Sequence, residues 1–145
     1  MRYHNGVKVV LDTDVIVAGM RSPRGASAEL LRRARSGEIT LLASVGLFLE
    51  YEAKCTLETH YRAAGLTREQ VQIFLDTLAL LVLPVKAHYL WRPQLRDPAD
   101  EMVLETAVNG GADVLVSFNQ RHFAQAPAHF GIDLLLPSQL MERIR

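Results

Sequence analysis

The sequence predicts an α/β protein, a three-layer α/β/α sandwich built on a central parallel sheet. Short apolar runs rich in β-branched residues alternate with segments whose apolar residues recur at helical spacing. The stretches between successive runs are long enough to carry a helix back across the sheet, as right-handed parallel crossovers require. A chain of 145 residues buries one substantial core, so residues 1–145 are expected to form a single domain.

Val7-Lys8-Val9-Val10-Leu11 suits a central strand covered on both faces. Ser22-Pro23 offers an N-cap with proline at the first helical position, and Ala26, Leu30, Leu31 and Ala34 keep helical spacing until Gly37. Ile39 to Ala43 reads as a second strand. Ser44 can cap a helix with Leu47, Phe48, Tyr51 and Cys55 on its apolar side and Glu50 off it. Thr67 and Gln70 form a capping box ahead of Val71, Phe74, Leu75, Leu78 and Val82, in a helix that must stop near Pro84. Leu83 to Ala87 reads as a strand and Leu90 to Arg96 as a loop. Asp97-Pro98 starts a helix that carries Met102, Val103, Leu104, Ala107 and Val108 and ends at Gly110-Gly111. Val114-Leu115-Val116 and Ile132 to Leu135 complete the strands, and Pro137 to Ile144 forms a closing helix.

A hydrophobic fraction of 49% with 22% charged residues excludes the composition of a disordered chain. No apolar run approaches the ~20 residues needed to span a bilayer, and the polar start from Met1 to Gly6 lacks the pattern of a signal peptide. The single cysteine, Cys55, has no intramolecular disulfide partner and no zinc-site spacing around it, so a reducing cytoplasm is the expected location. Formal net charge is zero, which removes any global attraction to polyanions. Contact with nucleic acid must therefore be local, with Arg21, Arg24, Arg32, Arg33 and Arg35 as the candidate cluster and a solvated helix face as its plainer reading.

In parallel sheets ligands bind beyond the carboxyl ends of the strands. Asp12-Thr13-Asp14 follows the first strand, and by itself reads as a turn. Ser117-Phe118-Asn119 follows Val114 to Val116. Asp97 and Asp100 open a helix, where capping and the macrodipole already account for them. Glu50 alone reads as a solvent-facing helix residue. Gathered at one crevice these groups concentrate negative charge that a cation relieves, and an all-oxygen set suits Mg²⁺ or Mn²⁺ better than zinc, the five histidines being scattered.

These motifs resemble the PIN-domain ribonucleases, in particular the toxin components of bacterial toxin–antitoxin pairs. The resemblance runs over nearly the whole chain: Val9 to Val15, Ser22-Pro23-Arg24-Gly25 with Leu30-Leu31, Arg96-Asp97-Pro98-Ala99-Asp100, Gly110 to Asn119, and Leu135 to Ser138. It implies a PIN-like fold and a metal-dependent endoribonuclease in which Asp12, Glu50 and Asp100 hold Mg²⁺ or Mn²⁺. Asn119 stands where many members carry a fourth Asp, and Thr13, Asp14, Asp97 and Ser117 support these ligands, Asp97 being the alternative third acid. Asp14 replaces the Asn usual after Asp-Thr, so negative charge is added at one position and removed at the other. Arg21, Arg24, Arg96 and His122 are the candidate phosphate contacts. The partners implied are an RNA substrate, an antitoxin protein laid against helical walls near Thr67 and Tyr51 to Tyr61, and a second copy in a homodimer. The competing reading is a weakly active or inactive PIN-like module that binds RNA or a protein. An α/β phosphatase using Asp12 lacks a suitably placed Lys.

Overall fold

The computed structural model of the chain describes residues 6–88 and 93–145. Five parallel strands form one sheet, β1 (Val7–Leu11), β2 (Ile39–Ala43), β3 (Val82–Pro84), β4 (Val114–Val116) and β5 (Asp133–Leu135), in the spatial order β3-β2-β1-β4-β5. Helices cover both faces, giving the three-layer sandwich that the alternation predicts. Val9, Val10, Leu11, Leu41, Leu42 and the whole of β4 are buried, which is why these strands read as continuous apolar runs.

The longest element absent from the sequence reading is α1 (Thr13–Arg21). Asp12-Thr13-Asp14 is a helix start, not a turn: Asp12 is the N-cap and its Oδ1 accepts the Thr13 N–H at 2.8 Å. Val15, Ile16, Gly19 and Met20, at helical spacing behind an Asp, were the available signal; three successive β-branched residues masked it. Ser22 closes α1, and α2 (Ala26–Arg35) starts three residues later than Ser22-Pro23 suggests, with Gly25 as N-cap.

Ser44 caps α3 (Val45–Cys55) by accepting from the Leu47 N–H at 3.2 Å. A short α4 (Glu58–Ala63) follows. Thr67 and Gln70 close the expected capping box on α5 (Arg68–Leu81). That helix ends at Leu81, so Val82 opens β3, pairing with Leu41 of β2, and the strand runs to Pro84 and not from Leu83 to Ala87; Pro84 is tolerated because β3 is an edge strand. Of the loop expected from Leu90 to Arg96, residues 90–92 lie outside the described residues, as do Met1 to Asn5. Then come α6 (Pro98–Gly110), α7 (Gln120–Phe123), α8 (Ala126–His129) and α9 (Pro137–Ile144). The two four-residue helices and α4 are too short to show a periodicity in sequence. Among the described residues no helix is long and apolar enough to cross a membrane.

Candidate active site at the switch point of the sheet

The chain builds β1, β2 and β3 outward on one side and then returns to place β4 on the other side of β1. The connections that leave the adjacent strands β1 and β4 thus run in opposite directions from their carboxyl ends, where an open parallel sheet leaves a crevice. Asp12 sits at this point, its own N–H donating to the Val116 carbonyl at 2.9 Å. It is 6% exposed, and both carboxylate oxygens are held: Oδ1 by the Thr13 N–H and Oδ2 by the Ser117 hydroxyl at 2.6 Å. Burial raises its pKa against the opposing pull of those two hydrogen bonds. Ser117, fully buried, also accepts the Asn119 N–H at 2.9 Å, tying the end of β4 to the carboxylate after β1.

Asp14 lies one residue into α1 and faces the same loop. Its Oδ2 accepts the Phe118 N–H and the Asn119 side-chain N–H₂, each at 3.1 Å, while its buried Oδ1 has no partner. Burial, then the neighbouring Asp12, pushes its carboxyl up to about 6. Asp100 is the third residue of α6, and its Oδ2 lies 3.2 Å from His122 Nδ1. Desolvation, then Asp12 and Asp97, raises its pKa, against the lowering effect of His122. Glu50, half-buried on α3, has Lys54 at 3.8 Å. Asp97 caps α6 through the Ala99 N–H at 2.8 Å.

One cavity of about 380 Å³ is lined by Asp12, Thr13, Asp14, Glu50, Asp100 and Asn119, so four carboxylates from three separate segments, the starts of α1 and α6 and the middle of α3, open onto the same space. Asp14 lines it directly, whereas the sequence suggested only a supporting position. Lys54 and His60 also line it and were missed by sequence reading. For Lys54 the signal was its place one helical turn after Glu50. Arg21 reaches the rim through His60, Nη1 to Nδ1 at 3.4 Å. Arg96, Asp97 and His122 line an adjoining cavity that shares Asp100. Arg24 is not brought to the acids: the late start of α2 leaves it in a separate cavity with Glu29, Ser138 and Glu142. Arg32 and Arg33 belong to a salt-bridged helix face with Glu29 and Glu38, the plainer reading of the basic cluster.

Among the described residues no three His, Cys, Asp or Glu side chains already converge on a single point as metal ligands do. The donor chemistry nonetheless fits a hard divalent cation: the acids present only oxygen, and Asp14 holds a buried carboxylate oxygen with nothing to neutralise it. Glu50 lines the same cavity and faces Lys54 across 3.8 Å.

Fold and site together define an α/β/α domain with an acidic, oxygen-lined cavity at the switch point of a parallel sheet. The chain belongs to the PIN domain family, whose sequence model matches residues 8–121; the members of that family are generally nucleases. Comparison with curated proteins finds no sequence match. Among solved structures the fold is similar to that of VapBC2 from Rickettsia felis bound to a DNA fragment from their promoter. There the TM-score is 0.60 at 15% identity, covering 88% of this chain and 97% of that one. It is also similar to FitAcB from Neisseria gonorrhoeae, with a TM-score of 0.57 at 16% identity, covering 90% of this chain and 98% of that one. At such identities the likeness bears on the fold.

Proposed function

We propose that the protein is a metal-dependent endoribonuclease that hydrolyses RNA phosphodiester bonds, acting as the toxin of a toxin–antitoxin pair. The observation that carries the reading is the gathering of Asp12, Asp14, Glu50 and Asp100 around one cavity at the switch point. Asp12, Glu50 and Asp100 are the residues that would hold Mg²⁺ or Mn²⁺, with Asn119 offering a neutral carbonyl oxygen. When bound, the ion supplies a water of lowered pKa and stabilises charge on the phosphoryl oxygens. The chain's own part is positional. Thr13 and Ser117 fix the Asp12 carboxylate through two short hydrogen bonds. Asp100 is fixed by its place in the first turn of α6 and by His122.

The toxin assignment is supported by the likeness of the fold to VapBC2 from Rickettsia felis and FitAcB from Neisseria gonorrhoeae. One apolar groove available to an antitoxin segment uses the helix after Thr67, one of the two walls expected from sequence, without the Tyr51 to Tyr61 segment. It has Phe74, Leu78 and Leu81 of α5 on one side and Gly19, Ala28 and Leu31 of α1 and α2 on the other. A cytoplasmic homodimer completes the proposal and is read by sedimentation. The competing reading, a weakly active PIN-like module, draws on Asn119, whose amide serves Asp14 as a donor and adds no charge.

The test is cleavage of a labelled single-stranded RNA panel in Mn²⁺, Mg²⁺ or EDTA, with Asp12→Asn and Asp100→Asn alongside. Metal-dependent cutting lost in both variants is the expected result. An intact panel under every condition, with no divalent-ion binding by calorimetry, gives the site to the competing reading.

A further inference from the structure

A second cavity, of about 510 Å³, opens beside the acidic one and shares Asp100 with it. It is lined by Gln94, Leu95, Arg96, Asp97, Arg121, His122 and Ala124, so it brings two guanidinium groups and an imidazole together in a chain with no net charge. Its volume falls within the range of small-ligand pockets. We propose that this cavity holds the phosphate and nucleotide next to the bond being cut, with Arg96 and Arg121 gripping the RNA backbone. The proposal rests on the nuclease reading of the acidic cavity and adds to it the direction in which the strand leaves the site.

Three observations support it. First, Arg96 and Arg121 are exposed and neither forms an ion pair with a described residue. Arg32, Arg33, Arg62, Arg143 and Arg145, by contrast, all lie within ion-pair distance of a carboxylate. A guanidinium without an internal partner keeps its fork of donors for a phosphate. Second, His122 lines this cavity and places its Nδ1 3.2 Å from Oδ2 of Asp100, the residue both cavities share, so the acid and the cationic wall are joined by one contact. A strand whose scissile phosphate lies among the acids passes the shared Asp100 into the cavity that holds the arginines. Third, Ala124 closes the wall at φ 48°, the only positive φ outside glycine among the described residues. The chain accepts that strain immediately after Arg121-His122-Phe123, where Phe123 is fully buried and anchors the two basic residues before it.

The Lys54 and His60 side of the acidic cavity is less suited to the same role. Lys54 already faces Glu50, and His60 faces Arg21. That side offers one guanidinium, Arg21, at its rim, whereas the second cavity brings two together beside Asp100.

The experiment measures binding of a fluorescein-labelled single-stranded RNA by anisotropy in EDTA, where no metal-dependent cutting interferes, over a range of salt. It compares the natural protein with Arg96→Ala/Arg121→Ala, with Arg121→Lys, and with Arg68→Ala as a control on α5. Circular dichroism establishes that each is folded. The double variant should bind roughly tenfold more weakly at 0.1 M salt, and its slope of log affinity on log salt should fall by about 0.7 per arginine removed. Arg121→Lys should retain the slope while losing part of the affinity, and Arg68→Ala should match the natural protein. Equal affinity and slope for the natural and double-variant proteins overturn the proposal, as does absence of any RNA binding by the natural protein up to about 0.1 mM. RNA bound through these arginines but never cut in Mn²⁺ leaves the cavity standing and removes the nuclease reading. Cutting with an unchanged KM in the double variant does the reverse.

Discussion

Asn119 donates its side-chain N–H to Asp14 Oδ2 at 3.1 Å, joining the loop after β4 to the first turn of α1. These are the two positions at which the sequence departs from the pattern it resembles, Asp where Asn is usual and Asn where many members carry Asp. Their contact shows that the exchange is local. A carboxylate and an amide still face each other there, so the charge is moved across the pair and not lost from the cavity.

The relocated charge has a pH consequence. Burial and Asp12 raise the Asp14 carboxyl to about 6 from an ordinary value of 3.8. Between those values the folded state keeps a proton that the unfolded chain has released, so stability falls as pH rises through this window and stays lower above it. Without metal, Asp14→Asn should therefore melt about 3 °C above the natural protein at pH 7.5, the gain being limited by solvent screening. At pH 4 the two should melt together. Melting scans in EDTA at both pH values check this, and a difference independent of pH would show that Asp14 titrates normally.

The Tyr51 hydroxyl donates to the Leu11 carbonyl at 2.5 Å, entirely within the core. Leu11 immediately precedes Asp12 and Tyr51 immediately follows Glu50, so one bond fastens the segments that carry two of the acids. Burial drives the phenol pKa well above its usual range, keeping it a donor at any working pH. Tyr51→Phe should cost about 1–2 kcal/mol in urea unfolding, because a buried carbonyl loses its donor. It should also weaken Mn²⁺ binding by calorimetry. A variant as stable as the natural protein would mean that this bond adds nothing net.

The legible parts of the fold were those with their own local cause. β1, β2 and β4 announce themselves as apolar runs, and Ser44, Thr67 and Asp97 mark helix starts by capping chemistry. The acids at strand and helix ends could be placed near one crevice because topology alone puts them there. What could not be read was side-chain convergence across long separations. The Ser117 hydroxyl on Asp12, the Asn119 amide on Asp14 and His122 on Asp100 are each a product of packing, with no signature in the local sequence. Arg24 illustrates the opposite failure: its loop position suggested the site, but a helix starting at Ala26 directs it toward α9.

Ala124 supplies a test in which local strain and function separate. Its φ of 48° and ψ of −122° lie where a Cβ is crowded, and the residue is exposed, so its methyl group has little packing to lose. Glycine adopts this conformation without that penalty, although it gains more freedom in the unfolded chain. With strain of roughly 1–3 kcal/mol relieved and somewhat under 1 kcal/mol returned to the unfolded state, Ala124→Gly should be stabilised by about 1 kcal/mol. That corresponds to a rise of about 3 °C in Tm. The same change loosens the wall behind Arg121 and His122, so RNA affinity should fall even as the protein becomes harder to unfold. Thermal melting and anisotropy on one preparation read both effects. A lowered Tm would mean that the alanine conformation carries no strain, and a raised Tm with unchanged RNA affinity would separate the strained turn from the binding cavity.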